Sequence, residues 1–253
     1  MRRVVLIAAA LMVLAGATGF AQADLNASIA QIPVLAETPE RGVFIDLVRA
    51  IDETYDGGEI NIDVVPFARS VTNVIRGEAD FHIPSFVNPV IPESALPYSW
   101  VPEPVGYVTL VIYSNAENRL TREDIDAAFE AGGRFPYVIE VGAGIEPQFP
   151  FPTQGSNSIE QSMRKVDAGR IDAYLWPPEG DDIVRSLRLG NIHREVYGEF
   201  EDVILVPKTP RGREVSAILN DALVELRSRG LLRQYHDPVH GEWTEWQPHE
   251  MDW

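Results

Sequence analysis

The chain has 253 residues, no cysteine, and 38 acidic against 21 basic side chains, a formal net charge of −17 at pH 7. That acidity argues against nucleic acid and anionic membrane surfaces as partners, because both need positive patches. Without cysteine there are no disulfides and no lipid anchor on an N-terminal cysteine, so stability has to come from a buried core, which a chain of this length can supply.

The first segment reads as an export signal. Arg2 and Arg3 precede an apolar run from Val4 to Ala17, and Ala21-Gln22-Ala23 has the small-x-small pattern of a cleavage site. An uncleaved anchor is the rival, since the run approaches the ~20 residues a bilayer needs. Removing residues 1–23 takes away two arginines and no acid, which leaves 19 basic and 38 acidic side chains, a net charge of −19. Such acidity fits a cationic ligand or, more simply, solubility.

Strands then alternate with amphipathic helices, the pattern of an α/β protein. Ala27–Leu35 reads as a strand. Val43–Tyr55 reads as a helix with Phe44, Leu47, Val48 and Ile51 on one face, and Ile60–Val65 as a strand stopped by Pro66. Ala68–Arg76 is a helix closed by Gly77, and Asp80–Pro84 a short strand. Val87–Pro104 carries five prolines and no period, so it reads as a surface loop. Tyr107–Tyr113 is a strand rich in β-branched and aromatic residues. Thr121 and Asp124 form a capping box for a helix reaching Ala131. Tyr137–Val141 is a strand, Gly142–Asn157 a loop, and Ser158 caps a helix to Ala168. Ile171–Trp176 is a strand, Asp181–Leu189 a helix, Asp202–Pro207 a strand, and Glu214–Arg229 the longest helix, closed by Gly230. Two βαβ-rich blocks predict two lobes meeting at a hinge, with the ligand cleft where they face each other.

Four stretches carry a family resemblance. They are Gly42-Val-Phe-Ile-Asp46, Gly77-Glu-Ala-Asp80, Gly169-Arg-Ile-Asp172-Ala173, and Gly212 to Tyr235 with Asn220 and Gly230 in place. In order and spacing they resemble the bacterial extracellular solute-binding proteins of family 3, whose fold is the type II periplasmic binding fold. The resemblance implies an α/β protein of two lobes, each a sheet flanked by helices. Residues 1–23 are then the signal, 24–108 the first part of lobe 1, 109–202 lobe 2, and 203–253 the return to lobe 1 with a tail carrying Trp243, Trp246 and Trp253. It also implies a periplasmic monomer that captures a small-molecule solute for an inner-membrane ABC permease, or reports it to a sensor. No cofactor and no catalysis are expected; a periplasmic dehydratase on the same fold is the enzymatic rival. Gly77 and Gly169 are expected to end helices with positive φ, and Asp80 and Asp172 to hold backbone amides at the turns.

The departures bear on the ligand. Receptors for α-amino acids resembling this chain place an arginine in the loop that here runs from Ser85 to Tyr98 without one. Their ammonium-binding aspartate is here Pro177, and their glycine-threonine-threonine nest is Gly144-Ile145-Glu146. With all three anchors missing, the expected solute is small and polar but not a standard α-amino acid. The candidate contacts are Ser85, Phe86, Asn88, Tyr107, Gly144, Ser156, Trp176 and Glu179. Phe86, Tyr107 and Trp176, with Tyr98 and Trp100, offer aromatic faces, and core packing is the alternative for each. Ser85 and Asn88 offer hydrogen bonds after a strand, Ser156 and Asn157 precede a helix start, and Glu179 offers a charge for a cation. No metal site is expected: the five histidines are scattered, and Pro238 breaks the helix that would align His236 with His240.

Overall fold

The computed structural model describes residues 23–240 and 243–252, so the expected export signal lies outside the described residues except for Ala23. The chain forms β1 (Leu25–Ala30), α1 (Val43–Asp52), β2 (Ile60–Val65), α2 (Phe67–Ile75), β3 (Phe81–Val87), β4 (Tyr98–Trp100) and β5 (Gly106–Asn115). It continues through α3 (Arg122–Glu130), β6 (Ile139–Gly142), β7 (Gln154–Ser156), α4 (Ile159–Asp167), β8 (Ala173–Trp176) and α5 (Gly180–Leu187). It ends with β9 (Ile192–Pro207), α6 (Pro210–Ser228) and α7 (Leu232–His236). No helix among the described residues is long and apolar enough to cross a membrane.

All strands join one open sheet in the order β2-β1-β3-β9-β5-β8-β6-β7, with β4 also on β9. The two ends of the sheet are parallel, β1 with β2 and β3 on one side and β6 with β7 and β8 on the other. Between them β5 and β9 run antiparallel, from Gly106 opposite Asp202 to Asn115 opposite Ile192. These two strands form the middle of the sheet. Their register shifts between Leu110 and Val111, and such a bulge bends the strand that carries it. Alternation along β5 sends Val108, Leu110 and Ile112 to an aromatic-rich core with Phe149, Phe151 and Tyr197, while Val111 and Tyr113 enter the larger core on the opposite face.

Local signals explain most elements. Gly42 opens α1 at φ 143°, where an added Cβ would lie 2.3 Å from the Leu35 carbonyl oxygen, so only glycine fits. Thr121 caps α3 in a full capping box with Asp124, and the Ser158 side chain caps α4. Gly77 and Gly169 close α2 and α4 at φ 68° and 62°. Asp80 accepts the backbone N–H of Asn26 at 2.8 Å, and Asp172 accepts that of Val138 at 2.6 Å. Each aspartate therefore ties its turn to the neighbouring chain segment, once in each half of the molecule.

Three expectations need correction. The first strand ends at Ala30, and Ile32 pairs with Ala36 across a tight turn instead of extending it. The proline-rich segment contains β4, whose Tyr98 to Trp100 pair with Pro207 to Leu205. Finally, β9 has 16 residues and begins at Ile192, ten before the expected start. The part before Asp202 carries Arg194, Glu195, Glu199 and Glu201, and these charges mask the strand.

Candidate functional site

The cleft between the lobes holds a cavity of about 50 Å3. Leu35, Phe67, Phe86, Val108, Leu110, Ile145 and Trp176 supply its apolar wall, and Ser85, Glu179, Asp202 and His240 its polar atoms. A void of that size holds only a few water-sized groups, so admitting anything larger requires the lobes to part. Contacts across the cleft hold them together: Phe67 meets Trp176 edge to face at 6.1 Å between ring centres, and Asn88 clasps Gln148.

Trp176 ends β8. Its ring stacks on Tyr174, 5.8 Å between centres and 6° from parallel. A Cβ at Gly142 would sit 2.7 Å from the indole, so that glycine makes room for it. Its Nε1, the Ser85 hydroxyl, both Glu179 carboxylate oxygens and Asp202 Oδ2 are buried without a hydrogen bond. Buried polar atoms in native proteins are paired as a rule, and apart from the contacts of Glu179 and Asp202 with His240 these have no partner in the protein, which marks the cleft as a place built for something polar.

Behind the cleft floor lies a cluster of titratable groups. His240 Nδ1 is 2.7 Å from Glu179 Oε1, and its Nε2 is 3.4 Å from Asp202 Oδ2, though neither contact has the alignment of a hydrogen bond. His236 Nε2 is 3.8 Å from the same Asp202 oxygen. Burial alone would push His240 down, but the carboxylates of Asp202 and Glu179 together outweigh it and bring it up to about 10. His236 is held below its ordinary value by burial and by neighbouring His240. No lysine or arginine lines the cavity, in keeping with the arginine absent from the Ser85–Tyr98 loop.

The two histidines are close because the turn survives Pro238. The His240 N–H donates to the His236 carbonyl at 3.1 Å, and the rings lie 4.6 Å apart. The helix does end at His236, short of Pro238, as the sequence suggests; it is the turn that follows which brings the two rings together. Gly106 completes the arrangement, since a Cβ there would lie 2.5 Å from the His236 ring.

Of the eight residues expected to contact a ligand, Ser85, Phe86, Trp176 and Glu179 line this cavity. Ser156 borders an adjoining opening of about 310 Å3 with Asn157, Phe67 and Trp176, but its hydroxyl is already bonded to Ser158 and Ser162. Gly144 packs on Val71 across the lobes and donates its N–H to Glu146. Asn88 is spent on the Gln148 clasp. Tyr107 is 55% exposed, because the alternation that turns Val108 inward turns it out. Tyr98 is buried and bonded to Gln148, and Trp100 is half-buried outside the cavity. Asp202, His236 and His240 were missed; the only trace in the sequence is the four-residue spacing of the histidines.

A second buried charge lies nearby. Arg194 donates to Asp181 at 2.5 Å and to the carbonyls of Thr244 and Trp246, and its guanidinium lies 4.3 and 4.6 Å from the ring centres of Trp243 and Trp246. Asp181 also accepts from Tyr113 and from the Trp246 indole. Burial still raises Asp181 above the usual carboxylate range despite Arg194. The tryptophan-rich tail therefore docks on α5 and the start of β9.

No family model matches the chain, and neither does any curated protein. Solved structures do. A histidine kinase sensor domain with similarity to periplasmic binding proteins superposes with a TM-score of 0.65 at 17% identity, covering 87% of this chain and 97% of its own. The binding protein EhuB in complex with hydroxyectoine gives 0.63 at 16% identity, covering 87% and 89%. An ancestral arginine-binding protein bound to arginine gives 0.61 at 16% identity, covering 86% and 98%. At these identities the likeness establishes the fold: the chain has the two-lobed type II periplasmic binding fold of the solute-binding proteins, as its four sequence stretches suggest.

Proposed function

We propose that the protein is an exported periplasmic solute-binding protein that closes its lobes around a small polar solute and is not an enzyme. The observation that carries this reading is the convergence of buried polar groups on one apolar-walled cleft: Ser85 and the Trp176 indole N–H without a hydrogen bond, and Glu179 and Asp202 facing only His240. Residues 24–108 and 203–240 form one lobe and 109–202 the other. Both boundaries fall within β5 and β9, the two strands that cross between them. The solute is not an α-amino acid held in the usual way, because among the described residues no arginine lines the cavity to take its carboxylate.

The partner is an inner-membrane ABC permease that accepts the closed form. A second reading, delivery of the same solute signal to a receptor, is supported by the sensor domain among the similar structures. A thermal-shift screen of amino acids, polyamines, sugars, organic acids and aromatic metabolites tests the binding claim. A ligand at a hundred times its dissociation constant stabilises the folded protein by about 2.7 kcal/mol. A hit that Trp176→Ala abolishes supports the assignment. A hit whose affinity Trp176→Ala leaves unchanged removes Trp176 from the site, and a strong hit with a common α-amino acid refutes the argument from the missing anchors.

A further inference from the structure

We propose that Asp202, His236 and His240 form a site for a divalent transition metal of the zinc type, with its open position facing the solute cleft.

The three donor atoms lie within 4.8 Å of one another. Asp202 Oδ2 is 3.4 Å from His240 Nε2 and 3.8 Å from His236 Nε2. Bonds of about 2.0–2.1 Å in tetrahedral geometry place ligand atoms about 3.4 Å apart, so small rotations bring this set to bonding distance. All three atoms are buried and face one another without an aligned hydrogen bond, with Asp202 1% and His236 7% exposed. The two imidazoles present Nε2, and their other nitrogens face carboxylates: His240 Nδ1 meets Glu179 at 2.7 Å, and His236 Nδ1 meets Asp237 at 3.7 Å. Metal-bound histidines are held in this way, with the outer carboxylate fixing the tautomer and orienting the ring. Two histidines with one carboxylate, and a fourth place open, is a donor set suited to zinc.

Asp202 and His240 also line the cleft while His236 packs beneath Gly106. The fourth position therefore opens toward the solute, and an oxygen or nitrogen donor of the solute would fill it. This last step rests on the solute-binding reading; the metal site itself does not.

Untagged protein, freed of metal with a chelator, is titrated with Zn2+ alone by calorimetry and with Co2+ alone by visible absorption. The expected result is one equivalent bound, with the ligand-field spectrum of a four-coordinate cobalt centre. His236→Gln and His240→Gln should each abolish stoichiometric binding, and Glu179→Gln should weaken it about 10- to 100-fold. Circular dichroism confirms that each variant is folded; if Asp202→Asn is not, the two histidine variants decide the matter. No stoichiometric binding by the wild type, or equal binding by the histidine variants, overturns the proposal. The solute screen is run with and without Zn2+. A solute bound by a protein that binds no metal refutes this inference and leaves the solute-binding reading intact, whereas zinc binding with no solute refutes only the role of the open position.

Discussion

Two clusters of buried charge lie near each other in this protein, and they are finished to different degrees. Around Arg194 every guanidinium nitrogen but Nε has a partner, two tryptophan rings lie against it, and Asp181 accepts from three donors. Around Asp202 the carboxylate oxygen and the imidazole nitrogens approach one another without a single aligned hydrogen bond among them. Both clusters use residues that follow α6, so neither is a loose end of the fold. A buried charge with its partners in place contributes to structure, whereas one left short of partners costs stability unless something else completes it. The contrast separates a structural centre from a binding one.

The largest expected effect comes from breaking the finished cluster. Arg194→Met leaves Asp181 buried without its counter-ion and should lower stability by about 3–5 kcal/mol, read as a shift in the urea midpoint with little change in Zn2+ affinity. Next is a pH dependence away from both clusters. His82 is buried, its Nδ1 bonded to Ser70, and desolvation holds it at about 3. The unfolded chain takes up this proton near 6.5 and the folded one does not. This contribution is therefore complete above pH 6.5 and is lost as pH falls from there toward 3, at about 1.4 kcal/mol per pH unit. His82→Phe, compared with the wild type across that window by chemical denaturation, should flatten the slope. The smallest effect is expected at the unfinished cluster. His236→Leu removes an imidazole that makes no aligned hydrogen bond through its buried Nε2, so without metal it should change stability by less than about 1 kcal/mol. A loss as large as that of Arg194→Met would show that His236 is structural and would erase the contrast.

The sequence made the outer parts of the sheet legible because their signals are local. The apolar face of α1, the capping box of α3 and the glycines after α2 and α4 each act within a few residues. Trp176 was legible too, because a residue ending a strand in this architecture faces the cleft. What escaped depends on distance or on disguise. The first part of β9 carries charges that hide a strand, and Arg194 cannot be recognised as buried until Trp243 and Trp246 are placed over it. Asp202 lies 34 residues before His236 in the chain, and only the pairing of β9 with β5, above Gly106, brings them together. Tyr107 was misplaced for a simpler reason: aromatic character says that a residue packs well, but the strand's period decides on which face.

The docked tail has a mechanical consequence. Two neighbouring strands crossing between lobes make a ribbon, and a ribbon bends readily and also twists. The tail adds a third attachment away from that ribbon, leaving α7 beside α1 and gripping the second lobe through Arg194 and, by the stacking of Trp246 on Arg185, through α5. A third point of attachment opposes twisting of one lobe on the other and leaves bending free, so lobes that close as proposed would return Trp176 and Phe67 to the same register.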